Sequence, residues 1–91
     1  MKITSFEWDE GNITHLLERH DVDPVEVEEA FAPENLFHIV SRKGKYHAFG
    51  KTMAGRYLHI VFEYKVRGVA RPTTAWDMPE KEKRKFKKWR K

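Results

Sequence analysis

The chain has 91 residues, of which 40% are hydrophobic and 35% charged, with a net charge of +4 and no cysteine. This length supports one modest hydrophobic core, so we expect a single domain over residues 1–91. Disulfides and thiolate metal sites are excluded, and neither the N-terminal residues nor any apolar run has the pattern of a signal peptide or a membrane span. We expect a soluble protein of the cytoplasm.

The charges are divided sharply along the chain. Residues 1–34 contain ten acidic and two basic side chains, a net charge of −8, whereas residues 35–91 contain sixteen basic and four acidic ones, a net charge of +12. Such a division is typical of a protein that presents a basic surface to a polyanion. Pairing of the two halves inside the molecule would explain it equally well.

The first elements in chain order are a short strand and a helix. Residues 3–6 are predicted to be extended, and a helix is predicted to begin after Asp9 or Glu10. Its apolar residues recur at helical spacing as far as His20, which favours one face packed on a core. Asp21 to Asp23 are predicted to break this helix.

A second helix has the stronger start signal. Asp23 is a typical N-cap residue, Pro24 suits the first helical position, and Glu26 completes a capping box. The prediction ends this helix at Pro33, because proline cannot continue it.

From Leu36 onward the hydrophobic pattern changes to that of strands. Extended runs are predicted over 36–40, 45–50, 56–64 and 69–76, and their short connections favour a four-stranded antiparallel meander. The last two runs form the most apolar hairpin of the chain. Pro72 predicts an edge position or a bulge in the last strand, since proline cannot donate to a ladder.

The C-terminal segment predicts a basic helix that begins near Glu80. Phe86 and Trp89 are its strong apolar residues and are expected to dock on the sheet. Its eight bases are Lys81, Lys83, Arg84, Lys85, Lys87, Lys88, Arg90 and Lys91. Together the elements predict an α+β domain with two N-terminal helices on one face of a four-stranded antiparallel sheet and a C-terminal basic helix.

The basic residues favour contact with nucleic acid. Neutralising several phosphates releases counterions, and aromatic rings between cations can stack on bases. The predicted RNA-binding residues are Lys51, Trp76, Lys81, Arg84, Lys85 and Lys88.

If the protein carries out chemistry, its residue types favour a phosphate and not a pair of carboxylates. Arg56 and Arg71 lie on predicted strands, where a guanidinium is held well for an anion, and His20 or His59 could move a proton. His59 is expected to be half exposed. RNA can be cut without a metal, because its 2′-hydroxyl can attack the phosphate, and the five histidines have no metal-ligand spacing. We therefore expect neither metal nor cofactor.

An ordered set of short motifs resembles the BrnT family of toxins. It covers nearly the whole chain and comprises Phe6-Glu7-Trp8-Asp9, His20 followed by Val22, Glu26-Val27-Glu28-Glu29, Gly55-Arg56-Tyr57-Leu58, Arg71-x-x-Thr74-Ala75 and Glu82-x-Arg84-x-Phe86. The resemblance implies a RelE-like fold and a small endoribonuclease toxin of a toxin–antitoxin pair, which inhibits growth or translation. It also implies a cognate antitoxin, typically a small ribbon-helix-helix DNA-binding protein.

Three positions depart from the family pattern and leave an alternative open. Leu16 stands where the family usually has a helix asparagine, four residues before the histidine. Trp76 and Phe86 stand where the family commonly has an arginine and a tyrosine, so a phosphate ligand and a hydroxyl are missing. The alternative is a non-catalytic RNA- or antitoxin-binding module on the same fold. A protein-interaction role of the acidic residues 1–34 and a homo-oligomer also stay open.

Overall fold

The structure is a computed structural model that describes residues 1–89, except for the side chain of Trp89; the predicted basic residues Arg90 and Lys91 lie outside this range. Its elements are β1 (Ser5–Phe6), α1 (Glu10–His20), α2 (Pro24–Phe31), β2 (Leu36–Arg42), β3 (Lys45–Lys51), β4 (Tyr57–Lys65), a 3₁₀ turn (Val66–Gly68), β5 (Val69–Asp77) and α3 (Glu80–Trp89). The strand order is β1-β5-β4-β3-β2.

The α+β class is confirmed, but the predicted four-stranded antiparallel sheet is wrong in detail. The sheet has five strands and is mixed, because β1 pairs in parallel with β5. The pairing continues beyond β1, where the Glu7 amide donates to the Ala70 carbonyl at 2.9 Å. A strand of two residues carries no alternation of its own, so the sequence predicted the extended segment but not its partner.

The predicted cap of α2 is confirmed, and α1 begins after Asp9, which caps it in the same way. Asp9 and Asp23 each accept from the backbone of the first turn, and each helix has a complete capping box. At the start of α2, the Asp23 amide donates to Glu26 at 3.0 Å, as the sequence indicated. Capping residues act over three positions, which is why a local pattern was enough to locate these helix starts.

The hairpin of β4 and β5 lies at the middle of the sheet, and β4 is its central strand. Leu58, Ile60 and Phe62 of β4 are fully buried on the face that α1 and α2 cover. The approach of α2 to β3 is very close at Gly50, where a Cβ would lie 2.2 Å from the Ala30 carbonyl oxygen. Glycine at this position therefore allows the helix to pack directly on the strand.

Pro72 lies at a bulge, one of the two predicted positions. The pairing of β4 with β5 shifts between Val61 and Phe62, and the Thr73 hydroxyl donates to the Val61 carbonyl at 3.1 Å. Asn12 of α1 donates to the Pro72 carbonyl at 2.8 Å. A side chain of α1 thus donates to a β5 carbonyl beyond the point where β1 ends.

The helix α3 packs on the opposite face of the sheet. Phe86 is 2% exposed, and its ring stacks 4.7 Å from Phe49 and 5.6 Å from Phe37. The expected docking of Phe86 is confirmed. None of the helices in residues 1–89 is long and apolar enough to cross a membrane.

Candidate nucleic-acid interface and histidine cluster

Four of the predicted RNA-binding residues lie together on α3. Lys81, Arg84, Lys85 and Lys88 recur at helical spacing and line one groove of about 350 Å³. Lys81, Arg84 and Lys88 form no ion pair with a carboxylate of the described residues. This groove can therefore offer several positive charges to an anion.

The other flank of α3 carries a second group of cations around an aromatic ring. The ammonium groups of Lys51, Lys83 and Lys87 lie 6.0, 5.5 and 5.6 Å from the centre of the Tyr57 ring. The Tyr57 ring stacks on Phe37 at 5.6 Å with an angle of 12° between the rings. Cations next to a partly exposed aromatic ring are the groups that bind single-stranded nucleic acid.

Of this second group the sequence predicted Lys51 only. Tyr57 is the direct partner of Lys51 across β3 and β4, and Lys83 and Lys87 are four residues apart on α3. The spacing of the two lysines was readable in the sequence. Their position above Tyr57 was not, because it depends on how α3 crosses the sheet.

Arg56 is enclosed by acceptors from its own chain. Its Nε and Nη2 donate to Asp77 at 2.6 and 3.1 Å, and its Nη1 donates to Glu26 at 3.1 Å. The remaining N–H groups donate to the carbonyl oxygens of Asp21 at 2.7 Å and His20 at 3.2 Å. All five guanidinium donors are thereby used, and the pKa of Arg56 is raised, chiefly by its hydrogen bond to Asp77.

Arg71 is held at a different place. Its Nη1 donates to Asp9 at 2.8 Å and more weakly to Glu7 at 3.4 Å, and its Nη2 donates to Asp9 at 3.3 Å. These bonds lower the pKa of Asp9, and the pKa of Glu7 is lowered mainly by Lys65. Arg71 therefore joins β5 to the segment between β1 and α1.

The two arginines are not brought together. Arg56 precedes the first residue of β4, whereas Arg71 is the partner of Glu63 near the other end of that strand. Seven strand residues span roughly 20 Å. Arg56 also lies on the face of α1 and α2, since its acceptors belong to those helices and to Asp77. A single phosphate cannot contact both guanidinium groups in this arrangement.

His59 is buried, which corrects the expectation of a half-exposed residue. It is 4% exposed, because α3 covers this part of the sheet, and its ring lies 4.4 Å from each of the rings of Phe49 and Trp76. The alternation of β4 predicted its side of the sheet correctly. The covering helix could not be placed from the sequence.

A chain of hydrogen bonds runs through His59. On one side its Nδ1 is 3.2 Å from Glu82 Oε1, and on the other its Nε2 is 2.7 Å from His47 Nδ1. His47 is partly exposed and was not among the predicted site residues. In the β3–β4 register Phe49 faces His59, so His47 is a diagonal neighbour of His59 on the same face.

The surroundings of His59 and His47, the two hydrogen-bonded histidines, favour their neutral forms. Burial lowers the pKa of His59 below its ordinary value of 6.5, and the carboxylate of Glu82 partly opposes this effect. Burial and then the charge of Arg42 lower the pKa of His47, again against Glu82. A neutral imidazole has one nitrogen that can accept a proton.

Trp76 and His20 lie beside this cluster. The centre of the Trp76 ring lies 4.4 Å from that of His59 and 6.4 Å from that of His20. His15, which the sequence did not single out, is 5.3 Å from His20 between ring centres, and its Nε2 is 3.0 Å from the Thr74 hydroxyl. Of the predicted catalytic residues, the structure thus brings both His20 and His59 close to Trp76.

The described residues contain no group of three or more histidine, cysteine, aspartate or glutamate side chains that could hold a metal ion. No model of a known protein family matches the chain, and a search of curated proteins gives no match.

Proposed function

We propose that the protein is the toxin of a toxin–antitoxin pair, a metal-independent endoribonuclease of BrnT type that cuts RNA and inhibits growth or translation. The observation that carries the proposal is the basic face of α3. Lys81, Arg84, Lys85 and Lys88 line one groove, and Glu82 of the same helix holds the histidine cluster. A polyanion held along α3 would lie next to groups that can move a proton.

The distribution of ion pairs supports a polyanion as the partner of α3. Glu7, Asp9 and Glu26 of the acidic half pair with Arg56, Lys65 and Arg71 of the sheet, in the contacts of 2.8 to 3.4 Å described for this region. The excess charge of residues 1–34 is thus partly used inside the molecule. Lys81, Arg84 and Lys88 of the α3 groove lie outside these pairs, and their charge is available for phosphates.

The proposed site differs from the one expected from the sequence. Arg56 has no N–H left for a phosphate, so the proposal assigns phosphate binding to the α3 groove and stacking to Tyr57 and Trp76. His59, with its hydrogen-bonded neighbours, supplies proton transfer. Arg71 and His20 remain candidates at the margin of the site.

The partner in this proposal is a cognate antitoxin, a small ribbon-helix-helix protein that covers the α3 face, in a cytoplasmic pair. Its support is the ordered set of BrnT-like motifs. Expression of the chain alone should arrest growth, and co-expression with the product of a neighbouring gene for such a protein should relieve the arrest. Growth that is unaffected by expression would contradict the toxin proposal.

A second candidate is a non-catalytic RNA- or antitoxin-binding module. The observation that favours it is the state of the two arginines, both of which are engaged by carboxylates of their own chain. In such a module the α3 groove would bind RNA without cutting it.

One experiment separates these candidates. Purified wild-type protein is incubated with total RNA in EDTA, with and without ribosomes, beside a variant in which the four groove bases are replaced by glutamine. The control replaces Lys2, Arg19, Lys43 and Lys45, four exposed bases outside α3, with glutamine. We expect cleavage by the wild type and the control, and loss of cleavage in the groove variant.

Binding measured at several salt concentrations completes the test. Each lost phosphate contact on single-stranded RNA reduces the slope of log K against log salt by about 0.7, so the groove variant should lose a slope of about 3. Salt-dependent binding without cleavage would favour the binding module. Absence of both binding and cleavage would contradict both candidates.

A further inference from the structure

We infer that His47 is the general base of the RNA cleavage proposed above and that Glu82 and His59 are positioning residues that present it. The inference rests on the proposed ribonuclease function. It concerns a residue that the sequence gave no reason to choose, and it follows from the direction of two hydrogen bonds.

The carboxylate of Glu82 determines the direction of these bonds. An ionised carboxylate only accepts, so His59 donates from Nδ1 to Glu82 Oε1 at 3.2 Å. The Nε2 of neutral His59 then carries a lone pair and accepts the Nδ1–H of His47 at 2.7 Å. His47 is left with an unprotonated Nε2.

This last nitrogen belongs to the outer residue of the cluster. Among the described side chains, those of residues 1–88, none is a hydrogen-bond partner of His47 Nε2, and His47 is partly exposed, whereas His59 is 4% exposed. The inner histidine is thus too enclosed to meet an RNA strand, and the outer one is accessible. Of the two histidines in this hydrogen-bonded cluster, His47 is therefore the one that can take a proton from a substrate, at its Nε2.

The surroundings of His47 keep it neutral until it takes that proton. Arg42 on β2 disfavours its protonation, Glu82 on α3 favours it, and His59 on β4 is its hydrogen-bond partner. Once His47 is protonated, His59 can take up the Nδ1 proton and share the positive charge with Glu82. A base of this kind is neutral before the reaction and stabilised after it.

The step balances without a co-reactant. The 2′-O–H bond of the substrate breaks, its proton moves to His47 Nε2, and the 2′-oxygen forms a bond to phosphorus. The bond from phosphorus to the 5′-oxygen breaks, and that oxygen takes a proton from water. The products are a 2′,3′-cyclic phosphate and a 5′-hydroxyl, and the base is restored when His47 returns its proton to solvent.

The decisive variant is His47→Asn. The asparagine amide nitrogen can replace Nδ1 and keep the bond to His59, but nothing replaces Nε2. We expect cleavage of total RNA to fall by about 10²- to 10⁴-fold, the usual contribution of a general base, with RNA binding and thermal unfolding unchanged. The matched control is His38→Asn, at an exposed histidine on β2, which should cleave like the wild type.

The positioning role of Glu82 is tested by the pH profile of Glu82→Gln. Loss of the carboxylate removes the charge that raises the pKa of both histidines, so the acidic limb of kcat/KM should move to lower pH while the rate on the plateau falls. A purely structural role would lower the rate without moving this limb.

The outcomes separate this inference from the proposed function. Wild-type protein that cuts RNA, together with His47→Asn protein that cuts it equally well, would overturn the role of His47 and leave the ribonuclease in place. Wild-type protein that binds RNA but never cuts it would overturn both. Fragments that end in a 3′-phosphate or 3′-hydroxyl from the start, with no cyclic phosphate, would exclude the 2′-hydroxyl step.

Discussion

Two polar clusters of this molecule each link three secondary-structure elements through hydrogen bonds. They differ in whether every polar group of the cluster has a partner. Arg56 links α1, α2 and β5 through five hydrogen bonds, and every donor finds an acceptor of the same chain. The cluster of Glu82, His59 and His47 links α3, β4 and β3, but its last nitrogen has no partner among the side chains of residues 1–88. A closed network stabilises the fold, whereas one that ends in an open proton acceptor is suited to chemistry.

The largest effect expected from this comparison is that of Arg56→Ala on stability. The change leaves Asp77, Glu26 and two helix-end carbonyls without their partner, at a position where Arg56 is 23% exposed. We expect the free energy of unfolding to fall by about 3 kcal/mol, because the change removes five hydrogen bonds that each contribute about 0.5–1.5 kcal/mol, and water can compensate for part of the loss at the exposed Asp77. Urea unfolding followed by circular dichroism measures this.

The variant Arg56→Lys separates the contribution of the positive charge at this position from that of the five hydrogen bonds. Lysine keeps the charge but cannot make five hydrogen bonds in a planar fork, so we expect a loss of about 1–2 kcal/mol. If Arg56→Ala instead unfolds like the wild type and abolishes RNA cleavage, Arg56 belongs to the reactive site and the comparison is wrong.

The comparison also shows what the sequence can predict. Asp9 and Asp23 cap their helices through neighbours three residues away, and the groove bases from Lys81 to Lys88 share a face through helical spacing. These features depend on short stretches of chain. For this reason the helices, their approximate starts and the basic character of α3 were all predicted.

The features that the sequence did not reveal depend on contacts between distant segments. The acceptors of Arg56 come from three elements, up to 36 residues away, and no spacing rule connects them. His47 and His59 meet only because of the β3–β4 register, and the predicted turn was not specific enough to fix that register. The parallel pairing of β1 was missed for the same reason.

Arg71→Ala should have a much smaller effect than Arg56→Ala. Its partner Asp9 has a side chain that is 54% exposed and that of Glu7 is 40% exposed, so water can replace the guanidinium. We expect only a small loss in the free energy of unfolding, as is typical of an exposed ion pair. Both arginine side chains are 23% exposed, so the expected difference comes from the hydrogen bonds of Arg56 to two helix-end carbonyls. A loss as large as that of Arg56→Ala would show that these bonds do not distinguish the two arginines.

The smallest expected effect is the dependence of stability on pH near neutrality. Burial lowers the pKa values of His47 and His59 in the folded protein. At pH values between these lowered pKa values and 6.5, the unfolded chain therefore binds more protons than the folded protein does. The stability from these two groups is therefore complete above about pH 6.5, the ordinary histidine pKa, and decreases as the pH falls through the folded-state values.

Urea unfolding at pH 7.5 and pH 5.5 measures this decrease, and Glu82→Gln should enlarge it, because Glu82 raises the pKa of both histidines. The Arg56 cluster serves as the internal reference. The pKa of Arg56 is raised and that of Asp77 is lowered from 3.8, so this pair keeps its charges throughout the interval. Arg56→Ala should consequently lower the free energy of unfolding by the same amount at both pH values. The opposite result would be a free energy of unfolding that no longer depends on pH in Arg56→Ala and depends on pH in Glu82→Gln as in the wild type. That result would reverse the roles assigned to the two clusters.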